Sequence, residues 1–169
     1  QLFKPQLRAL LRASHNGSLA ILLPMLSTLQ EVFQAKQYIA QAKAELKKEH
    51  IPFDESILIG GMIETPAAAL ISQHLAKELD FLSIGTNDLV QYTLAIDRTD
   101  DAVANLYDPT HPAVLQLIAL TIQNADAAGI PISICGELAG DTQLTRLLLG
   151  LACVNSLCTL RTHSPPSAC

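Results

Sequence analysis

The sequence predicts an α/β protein whose strands form a parallel sheet. Short, nearly continuous apolar runs alternate with longer segments of helical spacing, as expected of strands buried on both faces and covered by helices. The helical segments carry terminal signals, with Pro66 and Pro112 where a first turn tolerates proline and Gly129 where a helix C-terminus favours glycine. Three of the apolar runs also end in small, anionic or thiol residues. That places reactive groups at the carboxyl edge of the sheet, where α/β proteins bind ligands.

Residues 5–14 have the spacing of a short helix, and the run 19–25, Leu-Ala-Ile-Leu-Leu-Pro-Met, reads as a buried strand. Leu29, Val32, Phe33, Ile39, Ala42 and Leu46 then fall near a 3.6-residue period with lysines between them, which predicts a covering helix. A strand over 57–63, a helix over 66–79, a strand over 81–84, a helix over 112–128, a strand over 131–135 and a helix over 141–149 complete the alternation. Four strands do not close a barrel, so pattern alone favours a doubly wound sheet. No repeat or low-complexity linker divides residues 1–151, which are taken as one domain.

The strand ends hold the candidate chemistry. Glu64 closes Ile-Leu-Ile-Gly-Gly-Met-Ile-Glu, Asn87 and Asp88 follow Phe-Leu-Ser-Ile-Gly-Thr in what reads as a turn, and Cys135 closes Ile-Pro-Ile-Ser-Ile-Cys. Two carboxylates at neighbouring strand ends suit Mg²⁺, which takes one or two protein carboxylates and fills its other positions with water and substrate oxygens. Taken singly, Glu64 could instead cap the helix opening at Pro66, and Asp88 could open the next turn. Asn87 can offer donors to a phosphate or form a turn. The planar fork of Arg98 suits a phosphoryl group, or a surface ion pair with Asp97, Asp100 or Asp101. A Cys after Ile-Ser-Ile is by itself more often a small hydrophobe than a reactive thiol.

With 169 residues, 49% of them hydrophobic, the chain can bury a sizeable core. A formal charge of −5 argues against a nucleic-acid-binding surface. No run approaches the roughly 20 apolar residues of a membrane span, and the start has no signal-peptide pattern. Three of the four cysteines, Cys153, Cys158 and Cys169, crowd the end of the chain, which is no disulfide framework. None of the five histidines lies in a Gly-rich phosphohistidine motif, so all are read as structural or solvated.

The words Glu64-Thr-Pro-Ala-Ala, Ser83-Ile-Gly-Thr-Asn-Asp-Leu-Val-Gln-Tyr-Thr, Asp97-Arg98, Leu106-Tyr-Asp-Pro, His111-Pro-Ala-Val-Leu and Cys135-Gly-Glu-Leu-Ala-Gly-Asp occur in this order. Over residues 1–151 the chain resembles the phosphoenolpyruvate-binding domain of Enzyme I of the bacterial phosphotransferase system. The resemblance implies the later part of a (β/α)8 TIM barrel, incomplete here, in place of a doubly wound sheet. It implies Mg²⁺ held by Glu64 and Asp88, substrate binding by Asn87, Asp88 and Arg98, and Cys135 as the acid that protonates the enolate carbon as pyruvate forms. It further implies a cytoplasmic enzyme, homodimeric when complete, that passes the phosphoryl group of phosphoenolpyruvate to a histidine in a separate domain and on to the carrier HPr in sugar transport. The first residue is Gln, not Met, and the chain is expected to be a fragment of that enzyme, inactive alone. Pyruvate phosphate dikinase or phosphoenolpyruvate synthase share this barrel chemistry, although Gln91-Tyr92-Thr93 and Glu137-Leu-Ala-Gly-Asp fit Enzyme I better. A non-catalytic remnant kept for dimerisation is the alternative of another class.

The βα grammar stops after Leu151, and residues 152–169 are expected to be an aberrant, out-of-frame tail. The family implied by the resemblance continues with Glu-Phe-Ser-Met, and one permitted back-translation of Cys153 to Arg161 contains Arg-Glu-Phe-Ser-Met-His-Pro-Ala in an adjacent frame. Sequencing the DNA across this region is expected to reveal Glu-Phe-Ser-Met in that frame. Its absence from every frame would rule the shift out.

Overall fold

In the computed structural model, residues 3–100, 102–136 and 150 are described, together with the backbone of residues 161 and 162. The chain opens with α1 (Phe3–Ala13), a 3-10 turn over Ser14–Asn16, β1 (Ala20–Leu23) and the long α2 (Leu29–Lys48). β2 (Leu58–Ile63), α3 (Pro66–Leu70), α4 (Ser72–Leu75), β3 (Phe81–Gly85) and α5 (Thr86–Leu94) follow. After a 3-10 turn over Ala104–Leu106 come α6 (Pro112–Ala128), β4 (Ile132–Cys135) and β5 (Arg161–Thr162).

All the pairings in the sheet are parallel and its spatial order is the sequence order, β1-β2-β3-β4-β5. A doubly wound sheet reverses its strand order at a switch point; here each strand is added beside the one before, as in a barrel. The doubly wound reading from pattern alone is therefore wrong, and the barrel-type reading stands. Arg161 and Thr162 pair with Ser133 and Ile134 at the β4 edge. The predicted helix over 141–149 and the rest of the tail lie outside the described residues.

Register sorts the strand side chains onto two faces. Leu23 pairs with Gly61, Ile63 with Ile84, Leu82 with Ile132, and Ile84 with Ile134. These apolar residues join Val32 and Ile39 of α2, Ala68 and Ala69 of α3, and Ile118 and Ile122 of α6 in one buried cluster. The opposite face carries Leu22, Leu58, Met62, Phe81, Ser83, Ser133 and Cys135, the alternate residues of the same strands. Its apolar members are less covered, with Leu58 52% and Leu22 36% exposed.

Local signals explain most boundaries. Thr28 and Glu31 form a reciprocal capping box at the start of α2. Thr65 caps α3 by accepting the Ala68 N–H at 3.0 Å. The predicted helix over 66–79 is broken at Ile71, and its remainder forms α4 only as far as Leu75. Ser72 favours the break, because its buried hydroxyl donates to the Ala69 carbonyl at 2.7 Å and accepts from Asn124 of α6 at 2.8 Å. The expected turn after Gly85 is the first turn of α5, which starts without an intervening loop.

The open face has a measurable consequence. Leu22, Met25 and Leu58 leave apolar surface in water, so the 169-residue chain is expected to self-associate as concentration rises. Light-scattering chromatography should show this, and a Leu22→Lys/Leu58→Lys variant should shift the population towards monomer. A wild-type chain monomeric throughout would contradict the expectation.

Candidate active site

Because the strands are parallel, Met25, Glu64, Asn87, Asp88 and Cys135 all arrive at one sheet edge. Glu64 follows β2 and is only 5% exposed. The helix behind it is capped by Thr65, whose hydroxyl also donates to the Leu26 carbonyl at 2.7 Å. Glu64 is thus relieved of the capping role that its position suggested. Its Oε1 accepts the Met25 backbone N–H at 2.6 Å. Met25 adopts a left-handed backbone, φ 52°, a costly conformation for a residue with a side chain.

Asp88 lies in the first turn of α5, within hydrogen-bonding reach of Glu64. Burial is the main force holding the Glu64 carboxyl above the usual carboxylate range; the Met25 amide opposes it, and the charge of Asp88 and a hydrogen bond to Asp88 add to it. Two such groups need a proton or a cation between them. Gly85 makes the approach possible, since a Cβ there would fall 3.0 Å from both the Cβ and the Oε2 of Glu64.

The oxygen donors fit Mg²⁺ better than a transition metal. Among the described residues no group of three or more His, Cys, Asp or Glu side chains could enclose an ion, so Glu64 and Asp88 would leave most positions to water and substrate oxygens. Structural zinc, by contrast, is usually enclosed by four nitrogen or sulfur ligands.

Arg98 stands beside this pair, with its Nη2 3.8 Å from Asp88 Oδ1. That is a loose contact between partly exposed groups, and its guanidinium can turn to another anion at small cost. Its charge also helps lower Asp97, whose carboxylate is held down first by hydrogen bonds from Thr99.

Cys135 ends β4 opposite Gly85. Thr86, fully buried, donates to the Cys135 carbonyl at 3.0 Å and joins the start of α5 to the end of β4. Gly136 comes next, with φ 103°, and a Cβ there would lie 2.5 Å from Thr86 Oγ1 and 2.9 Å from Asn87 Oδ1. The backbone at Gly136 therefore packs directly on the Asn87 side chain. The Cys135 thiol is half-buried, donates to the Ile84 carbonyl at 3.3 Å and accepts from Ser83 at 3.5 Å. Ser83, Ser133 and the Met25 amide escaped the sequence reading. The hydroxyls in Phe-Leu-Ser-Ile and Ile-Ser-Ile were the available signal, as polar residues inside otherwise apolar strands.

A profile of the PEP-utilising enzymes, specifically their PEP-binding domain, matches residues 1–160. The chain belongs to this family. It is 55% identical over 150 residues to a phosphoenolpyruvate-protein phosphotransferase of Cupriavidus necator, and 50% identical over 151 residues to one of Haemophilus influenzae. In each case 89% of this chain aligns with 26% of the relative, so the chain spans about a quarter of the length of these curated relatives. A citrate lyase crystal structure from Burkholderia xenovorans LB400 superposes with a TM-score of 0.61 at 16% identity, over 88% of this chain and 53% of that one. At that identity the likeness concerns the fold alone.

The raised Glu64 carboxyl gives a pH-dependent prediction. Its protonated form is favoured in the folded state, so the fold loses stability as pH rises through the Glu64 titration. Glu64→Gln keeps an oxygen for the Met25 amide and never ionises. Without divalent ions, thermal melting should show the variant gaining on the wild type as pH rises and matching it in acid. A difference independent of pH would contradict the assigned cause.

Proposed function

We propose that this chain supplies the phosphoenolpyruvate site of a phosphoenolpyruvate-protein phosphotransferase, which moves the phosphoryl group to an enzyme histidine and then to HPr in the cytoplasm. The observation that carries the reading is the Glu64–Asp88 carboxylate pair beside Arg98, at the strand edge of a PEP-binding domain. The names of the relatives support the same choice over a dikinase or a remnant kept for dimerisation. The homodimeric state of the complete enzyme is part of this proposal.

Glu64 and Asp88 would hold Mg²⁺, which when bound supplies positive charge to the phosphate and to the developing enolate oxygen. Arg98 leaves its loose contact with Asp88 to pair with phosphoryl oxygens, and Asn87 directs hydrogen bonds at the same group. The bridging P–O bond of phosphoenolpyruvate breaks as the histidine nitrogen bonds to phosphorus, leaving enolpyruvate as its enolate. Cys135 then transfers its S–H proton to the terminal enolate carbon. Pyruvate and a thiolate result, and solvent restores the thiol.

The test uses the full-length protein. Glu64→Ala and Asp88→Ala should each lower Mg²⁺-dependent turnover at least about a hundredfold, a barrier increase of about 3 kcal/mol, with circular dichroism unchanged. Cys135→Ala should lower kcat far more than it alters KM. Normal Mg²⁺ dependence in both carboxylate variants would refute the metal assignment, and wild-type turnover in Cys135→Ala would refute the proton donor.

A further inference from the structure

Ser83 is a hydroxyl residue placed among apolar strand residues, only 5% exposed, on the sheet face opposite the helices. A buried hydroxyl is costly unless it is hydrogen-bonded, so its partners indicate what it serves. Ser133 Oγ donates to Ser83 Oγ at 3.1 Å, Ser83 Oγ donates to Cys135 Sγ at 3.5 Å, and Cys135 Sγ donates to the Ile84 carbonyl at 3.3 Å. Each of the three groups has one proton, and in this arrangement each gives it to the next. Parallel register builds the chain, because Ser83 and Ser133 are direct partners and Cys135 lies two residues beyond Ser133 on the same face.

We infer that Ser83, supported by Ser133, is a positioning residue that orients the Cys135 thiol and receives its charge when the proton leaves. The inference rests on the reading of Cys135 as the proton donor. In the resting arrangement the S–H points at the Ile84 carbonyl, while the sulfur already accepts from Ser83. Turning the S–H from that carbonyl to the enolate carbon breaks one weak bond and leaves the Ser83 bond in place. As the S–H bond breaks and the C–H bond forms, the sulfur becomes an anion facing an oriented O–H. A hydrogen bond to a charged acceptor is stronger than the same bond to a neutral one, so Ser83 favours the transition state over the ground state.

The same chain provides a route for restoring the thiol. The Ser83 proton passes to sulfur, the Ser133 proton passes to Ser83, and water supplies a proton to Ser133, which is half-buried. One proton enters at Ser133 for each one delivered to pyruvate, and both hydroxyls are regenerated. Ser83 touches neither substrate nor phosphate in this scheme. It acts through Cys135.

Turnover of phosphoenolpyruvate by the full-length protein, in ordinary and deuterated water, provides the test. Ser83→Ala should lower kcat about tenfold, the value of one charge-assisted hydrogen bond, with little change in KM. It should also enlarge the solvent isotope effect, because proton transfer becomes the slower step. Ser83→Thr retains the hydroxyl and should recover most of the rate, and Ser133→Ala should show the same pattern more weakly. Wild-type kcat and isotope effect in Ser83→Ala, beside an impaired Cys135→Ala, would overturn this inference and leave the proton donor standing. Wild-type turnover in Cys135→Ala would remove both. If Ser83→Ala loses its fold, the isotope effect in Ser133→Ala decides, and an unchanged value there overturns the inference.

Discussion

A carboxylate withdrawn from water next to a second carboxylate is unfavourable unless something positive lies between them. Glu64 is held in that position by its strand, by the Met25 amide and by the bare backbone of Gly85. Asp88 reaches it because β2 and β3 are adjacent and parallel, so their ends coincide. The left-handed backbone at Met25 sits at the same place, in the contact that fixes one Glu64 oxygen. A side chain tolerated in that conformation is strain located where the two carboxylates meet, and it holds the amide donor in place there.

The two faces of the sheet divide the demands on the fold. Ile63, Leu82, Ile84, Ile132 and Ile134 are almost fully buried against helices and make no use of polarity. Their alternating neighbours include Ser83, Ser133 and Cys135, where volume is small and hydrogen bonds matter more than packing. Because side chains alternate at every residue, a strand can serve both demands without compromise at any one position.

How much of this could be read from the sequence depended on the range of the physics involved. The helix over 112–128 was legible to the residue, because proline, apolar period and glycine are all local signals. Strand order was not, since the distinction between a doubly wound sheet and a barrel-type one is made by which strands meet. The Gly-Thr-Asn-Asp segment misled because its residues are those of turns; burial of Thr86, Leu89 and Val90 makes it helical. Glu64, Asn87, Asp88 and Cys135 were singled out for their positions at strand ends, and the structure brings them to one edge. Arg98 was singled out for a phosphoryl group or for the carboxylates near it in sequence, and the structure sets it against Asp88 instead. The serine chain stayed hidden because a serine in a strand does not reveal its face until the register is known.

The direct passage from β3 into α5 also limits how this protein can change over evolutionary time. Most α/β sites diversify through loops of variable length, but Asn87 and Asp88 sit on a helix that begins as soon as the strand ends. Inserting one residue ahead of Asp88 would turn it by about 100° around the helix axis and carry it away from Glu64. The joint can exchange residues but cannot change length. New specificities are therefore expected to arise in segments such as residues 95–111, which lie between α5 and α6 and leave the carboxylate pair in place.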